Sequence, residues 1–374
     1  MTVDYPPEAV IVTQSRRQFV QNLLAGGVLA TGAATWLQRA DRTWAQSPPN
    51  LEQAPPPDRG DLRIIAISDL NNGYGETDYR AEVHQAIALI QRWQPDLVLC
   101  GGDMVAGQKL GLTRSQFQAM WAGFDRTIYQ PLRQGGIPFA FTLGNHDASN
   151  ITLPDRTFKY ALDRNEAAAY WRRQRSTMNW DWVDDAWFPF FYAFRMGNAL
   201  IVSWDASGPV ISTEQLLRAE QLFTSEIGRA AQVRLLLGHM PLHAVTPQRN
   251  QPGNVLRDTA PVQSLLERAQ VTAYITGHHH AYFPARMGTV DLLHLGCLGG
   301  GARSWLGTSS TPIRTLTVID ARFGSPNLRY SSYQLNPFRS LRDDQLPREI
   351  VGFNGRLVRR DQLLSKDHAL KVTI

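Results

Sequence analysis

Cysteine is nearly absent from this chain: two among 374 residues, Cys100 and Cys297. That excludes a disulfide-stapled scaffold and a cysteine-rich zinc site. Each sits beside an apolar run and a glycine, which points to buried free thiols and leaves a single bridge open. Long apolar runs are missing too. The stretch Leu23 to Leu37 spans 15 residues rich in Gly and Ala, short of the ~20 that a membrane helix needs. No stable membrane span is therefore expected in the mature protein. Charge is scarce, at 19% of residues, with a formal net charge of +5. The arginines are scattered, and no basic, aromatic-studded groove stands out, so no nucleic-acid partner is expected. Internal repeats are absent. What remains is ordinary globular composition, 43% hydrophobic, with length for one large domain or two small ones.

The first 45 residues read as an address. Ser15-Arg16-Arg17-Gln18-Phe19 precedes the weakly apolar stretch, and Thr43-Trp44-Ala45 offers small residues at the positions a signal peptidase reads. This resembles a bacterial twin-arginine (Tat) signal cut after Ala45. It implies the Tat translocase as a transient partner and a periplasmic or extracellular location. Residues 46–60, with Pro48-Pro49 and Pro55-Pro56-Pro57, predict an extended linker.

From Leu62 onward apolar runs, turns and helical patterns alternate. Leu62–Ile67, Leu97–Cys100 and Pro138–Leu143 predict strands, separated by helices from Thr77 or Asp78 to Trp93 and from Ser115 to Arg133. That spacing is the signature of parallel strands with crossover helices. Leu200–Trp204, Val233–Leu237, Val271–Ile275 and Leu292–Leu295 predict further strands, with helices over Thr213–Ile227 and Val262–Ala269 between them. Residues 151–190 interrupt the pattern with Trp171, Trp180, Trp182 and Trp187. They predict an insertion over the site, as lid or pocket wall, or else a separate packing unit. Residues 336–374 predict a polar extension with one short strand-like run and no assigned role.

Five segments place oxygen and nitrogen donors just past a strand: Asp69, Asp103, Asn145-His146-Asp147, His239, and His278 with His280. Carboxylate, amide oxygen and imidazole suit hard-to-borderline metal ions. In open α/β sheets the binding site lies beyond the carboxyl ends of the strands, so the five can share one site.

The ordered set Asp, Gly-Asp, Gly-Asn-His-Asp, His, Gly-His-x-His resembles the calcineurin-like metallophosphoesterase superfamily. The similarity spans about residues 62–335 and implies one domain over 61–335 with a four-layer α/β/β/α sandwich of mixed sheets. It also implies two divalent or mixed-valence ions, with Fe, Mn, Zn and Ca all open. By that resemblance Asp103 bridges both ions, Asp69 and His280 complete the first site, and Asn145, His239 and His278 complete the second. Asn71 stands where the family usually has histidine and is expected as a weaker ligand or a substrate contact. His146 would protonate the leaving group, and Asp147 would hydrogen-bond its ring. His278 and His280 face the ions together if their loop is extended, which leaves His279 a surface or packing role. Tyr74 is expected on the pocket wall. Gly299-Gly300-Gly301 with Arg303 offers either a phosphate contact or a tight structural turn.

The implied activity is hydrolysis of a small phosphate mono- or diester by a metal-bound hydroxide. The alternative is a degenerate one-metal protein that binds a phosphate ligand without turnover.

Overall fold

All six side chains of β1 (Leu62–Ile67) are buried, as a strand covered on both faces requires. The computed structural model describes residues 55–363. The twin-arginine segment and residues 46–54 of the linker lie outside the described residues.

After β1 come α1 (Ala81–Trp93), β2 (Leu97–Cys100), α2 (Arg114–Phe124) and β3 (Phe139–Phe141). The α1 face that turns inward carries Val83, Ala86, Ile87 and Ile90, a helical period. This helix starts after Arg80 rather than at Thr77 or Asp78, and no side chain caps it. Thr113 caps α2 through a capping box with Gln116, which satisfies two of the donors a helix start leaves unpaired. The expected helix to Arg133 breaks at a wide turn over Asp125–Tyr129 before a short helical stretch ends at Gln134.

The chain continues through α3 (Ala161–Gln174), β4 (Asp181–Trp187), β5 (Phe191–Met196) and β6 (Ala199–Ser203). Then come α4 (Thr213–Thr224), β7 (Val233–Leu237), α5 (Thr259–Arg268), β8 (Ala273–Thr276), β9 (Phe283–Met287) and β10 (Val290–His294). It ends in β11 (Thr315–Ala321), β12 (Arg329–Leu335), β13 (Phe338–Leu341), β14 (Glu349–Gly352) and β15 (Gly355–Arg359).

One sheet has the order β13-β12-β11-β1-β2-β3, and the other β14-β15-β9-β10-β8-β7-β6-β5-β4. Strands β1, β2 and β3 run parallel, as do β6, β7, β8 and β10, with antiparallel strands outside them. The two mixed sheets with their helices form the four-layer α/β/β/α sandwich. Contact between the sheets is partly polar: the Tyr192 and Ser203 hydroxyls of β5 and β6 both donate to Phe141 O on β3.

The aromatic insertion is a packing unit. Trp171 on α3 stacks on Phe141 with ring centroids 3.7 Å apart, and Trp180 stacks on Phe194 at 4.4 Å. No residue of 151–190 is among those lining the cleft at the clustered donors, which favours the packing unit of the two alternatives. The polar stretch after residue 335 also has a structural part. β13 extends the first sheet, and β14 and β15 pair and join the second through β9. Among the described residues, no helix is long and apolar enough to cross a membrane.

Candidate metal centre

The parallel strands of both sheets deliver their carboxyl ends to one place. Asp69 follows β1, Asp103 follows β2, Asn145 follows β3, His239 follows β7 and His278 follows β8. The loops are laced by backbone bonds, Asp69 N to Gly102 O at 2.9 Å and Gly277 N to His239 O at 3.1 Å. Two glycines allow the approach. A Cβ on Gly144 would lie 2.1 Å from Asp103 Oδ1, and one on Gly277 would lie 2.2 Å from Ser68 Oγ.

Asp69, Asp103, His278 and His280 all adopt left-handed backbone, with φ of 52°, 55°, 65° and 55°. Each such residue costs roughly 1–2 kcal/mol. Strain of this kind concentrates where a geometry is needed for function. It also corrects the extended loop expected for His278 and His280: both rings reach the cluster from left-handed positions.

The donors fall into two groups that share a carboxylate. Asp103, His239 and His278 offer atoms within 4.8 Å of one another, and so do Asp69, Asp103 and His280. All five side chains are buried. His239 Nε2 lies 3.3 Å from Asp103 Oδ2, and His280 Nε2 lies 3.0 Å from Asp69 Oδ1. Asn145 joins the first group, its Oδ1 at 3.0 Å from His239 Nε2 and 2.8 Å from His278 Nδ1.

The outward ring nitrogens explain how the histidines are aimed. His239 Nδ1 faces Gly101 O at 2.7 Å, His280 Nδ1 faces Gly301 O at 2.9 Å, and His278 Nε2 faces Asn254 Oδ1 at 3.2 Å. A ring that donates outward turns its lone pair inward. Inward lone pairs then meet Asp103, Asp69 and Asn145 oxygens, an arrangement that repels unless a proton or a cation lies between. The donor set therefore fits metal ions.

Electrostatics agree. Burial opposes charge on Asp69, yet His280 holds its carboxyl below the usual range. Burial likewise opposes charge on Asp103, but His239 and His146 hold it well below that range. His239 is penalised by burial and still pushed up to about 9 by Asp103. Burial and the neighbouring His239 pull His278 well down.

His146 lines the cleft, with its ring centroid 5.3 Å from that of Tyr74, which is itself on the wall. Its backbone N–H donates to Asp103 Oδ1 at 2.8 Å, and its ring Nδ1 lies 3.0 Å from Gly107 O. Asp147 does not serve that ring, contrary to the expectation. Its Oδ1 accepts from the N–H groups of Met104 and Val105 at 2.8 and 2.9 Å, and its Oδ2 from Gly144 at 2.9 Å. It is buried and ties the Asp103 loop to the Asn145 loop. Burial and the charge of Asp103 push its carboxyl up to about 7 against those donors.

Asn71 lines the same cleft beside His280. His279 is buried, accepts from Val245 N–H at 3.1 Å and faces Asn254 O at 2.8 Å, the packing one of the two roles expected. Both cysteines are buried free thiols. Gln108 and Asn254, which orient Asn145 and His278, carry no local signal in the sequence. They sit in irregular loops and become visible only through long-range contact.

The calcineurin-like phosphoesterase family matches residues 62–282, a span that contains Asp69, Asn71, Asp103, Asn145, His146, Asp147, His239, His278 and His280. The chain belongs to that family. No curated protein sequence matches this calcineurin-like phosphoesterase. Among solved structures it is similar to a dimetal phosphatase from Danio rerio, at 14% identity and a TM-score of 0.48, over 76% of this chain and 98% of that one. It is also similar to the TT1561 protein of Thermus thermophilus, at 14% identity and a TM-score of 0.42, over 72% and 97%. GAP50, the anchor in the inner membrane complex of Plasmodium, overlaps at 12% identity and a TM-score of 0.45, over 75% and 87%.

Proposed function

We propose that this calcineurin-like phosphoesterase is a two-metal hydrolase of small phosphate mono- or diesters. The observation that carries this is the pair of donor groups joined through Asp103. Asp69, Asp103 and His280, with Asn71 beside them, would hold one ion. Asp103, Asn145, His239 and His278 would hold the other. Two ions there supply Lewis acidity and a water of lowered pKa.

The chain's own residues do the rest. Asp103 would be the carboxylate common to both sites, since a carboxylate has one oxygen to offer each. Asn145 adds a neutral oxygen and avoids excess negative charge. His146, with Nδ1 donating to Gly107 O, would act in its imidazolium form, whose second N–H at Nε2 would pass its proton to the leaving-group oxygen as the ester bond breaks and leave a neutral ring. A one-metal binding protein is the weaker reading, since the group of Asp69, Asp103 and His280 is complete without Asn71.

We further infer export through the Tat translocase and action in the periplasm or outside the cell, on the strength of the Ser15-Arg16-Arg17 segment. The test of function is elemental analysis of the folded protein, paired with hydrolysis of p-nitrophenyl phosphate and bis-p-nitrophenyl phosphate. Two ions per chain and turnover of at least one ester support the reading. Bound ions with turnover of neither would overturn it.

A further inference from the structure

The cleft beside the donors has a volume of about 560 Å³ and is walled in part by Arg249 and Arg303. Both arginines are moored to the histidine loop. Arg249 Nη1 donates to Asn254 Oδ1 at 2.7 Å, the same oxygen that faces His278. Arg303 donates its backbone N–H to His280 O at 3.4 Å and its Nη1 to His278 O at 3.5 Å. Their guanidinium groups are thus held against the segment that carries two of the candidate ligands.

Neither arginine forms an ion pair among the described residues, although both are partly buried. Several other partly or fully buried arginines are paired, Arg63 with Asp320, Arg164 with Asp205 and Arg286 with Asp291, whereas Arg234 spends its donors on the carbonyls of Gln270, Gly228 and Ala231. Arg249 Nε is buried with no hydrogen-bond partner. Of the other charged groups on the wall, Arg80 pairs with Glu82 at 3.4 Å, and Glu76 is a single opposing carboxylate. Two guanidinium groups on one wall, neither of them in an ion pair, suit an anion of more than one charge.

We propose that Arg249 and Arg303 form a phosphoryl-recognition subsite that selects the terminal, dianionic phosphate of a monoester over a diester. This rests on the hydrolase reading above. A monoester has three non-bridging oxygens and two negative charges. It can meet the metal centre and still offer an oxygen to a guanidinium fork. A diester has two such oxygens, one charge, and a second organic group where the forks would bind.

The test uses the metal-loaded protein and its R249M, R303M and R303K variants. One measurement is kcat/KM for p-nitrophenyl phosphate and for bis-p-nitrophenyl phosphate. The other is calorimetric binding of inorganic phosphate and of dimethyl phosphate. The wild type is expected to prefer the monoester. R249M and R303M should each lose about ten- to a hundredfold in monoester kcat/KM, as for a charge-assisted hydrogen bond. Diester turnover should fall far less than monoester turnover, each rate being referred to the metal content of the same preparation. Phosphate binding should weaken by a similar factor while dimethyl phosphate binding does not move. R303K should recover part of the loss, which separates charge from packing. A wild type that prefers the diester, or variants that lose both substrates and both ligands equally, overturns the proposal. If neither ester is turned over, the hydrolase reading fails, and the phosphate titrations still decide the arginine subsite.

Discussion

Asn145 Nδ2 donates to Gln108 Oε1 across 2.6 Å, and this bond decides which end of the Asn145 amide faces the donor cluster. With the NH2 group engaged, the carbonyl oxygen turns to His239 and His278. Gln108 is fixed in turn, because its backbone N–H donates to Asp163 Oδ2 at 2.6 Å. The packing unit after the Asn145 loop thereby reaches the site through Asp163, although it does not line the cleft.

Gln108→Ala should loosen the amide of Asn145. Partners of this kind typically contribute about ten- to a hundredfold in metal affinity. The expected result is weaker binding of the ion served by Asn145, with the other ion little changed. Stepwise metal titration of the stripped protein checks it, and two unchanged affinities would show that Gln108 does not orient the ligand.

His146 and Asp103 should separate chemistry from metal binding. His146→Ala is expected to cut turnover by about a hundredfold or more while metal content stays near that of the wild type. Asp103→Asn should lower the content of both ions, since it removes the charge of the carboxylate both groups share. Elemental analysis beside kcat reads both outcomes. Loss of both ions in the His146 variant would refute the division of roles.

Asp147 is expected to behave as a clamp. Asp147→Ala leaves the N–H groups of Met104, Val105 and Gly144 without their acceptor. An unmet buried donor costs roughly 1–3 kcal/mol. The variant should melt at lower temperature and bind metal less tightly. A variant with wild-type melting that lost only turnover would restore a direct catalytic role.

The metal-free protein should lose stability as pH rises through the alkaline range. His239 is raised from the usual 6.5 to about 9 in the folded chain. A group raised on folding stabilises fully below its unfolded pKa, and that share disappears as pH passes its folded value. The window therefore runs from about 6.5 to about 9, with a contribution on the order of 3 kcal/mol. Metal ions require the neutral ring, so loading should abolish the slope. Denaturant melts of both forms across that window test it, and a flat profile for the stripped protein would contradict the His239–Asp103 pairing.

The sequence made the ligands legible because each follows a β-branched or leucine-rich run, and parallel strands bring their ends together. Val233–Leu237 and Leu97–Cys100 matched the strands residue for residue. The hairpin of β4 and β5 was hidden by aromatics that suggested a pocket, since Trp180 and Trp182 pack on Tyr192 and Phe194 instead. The strands after Leu335 were masked by a polar, arginine-rich composition typical of partly exposed edges. Asp147 was expected against the His146 ring through the resemblance, whereas in the short helical turn over Asn145–Ala148 the two side chains meet different partners. Gln108, Asn254 and Arg249 could not be found locally. The roles of Gln108 and Asn254 come from hydrogen bonds to residues 37 and 24 positions away, and Arg249 acquires its role through Asn254.

Anomalous scattering from crystals of the protein loaded with a single transition metal addresses the account most directly. Two peaks flanking the Asp103 carboxylate are expected, one beside Asp69 and His280 and the other beside Asn145, His239 and His278. A single peak remote from Asp103, or none in protein that still hydrolyses phosphate esters, would contradict it.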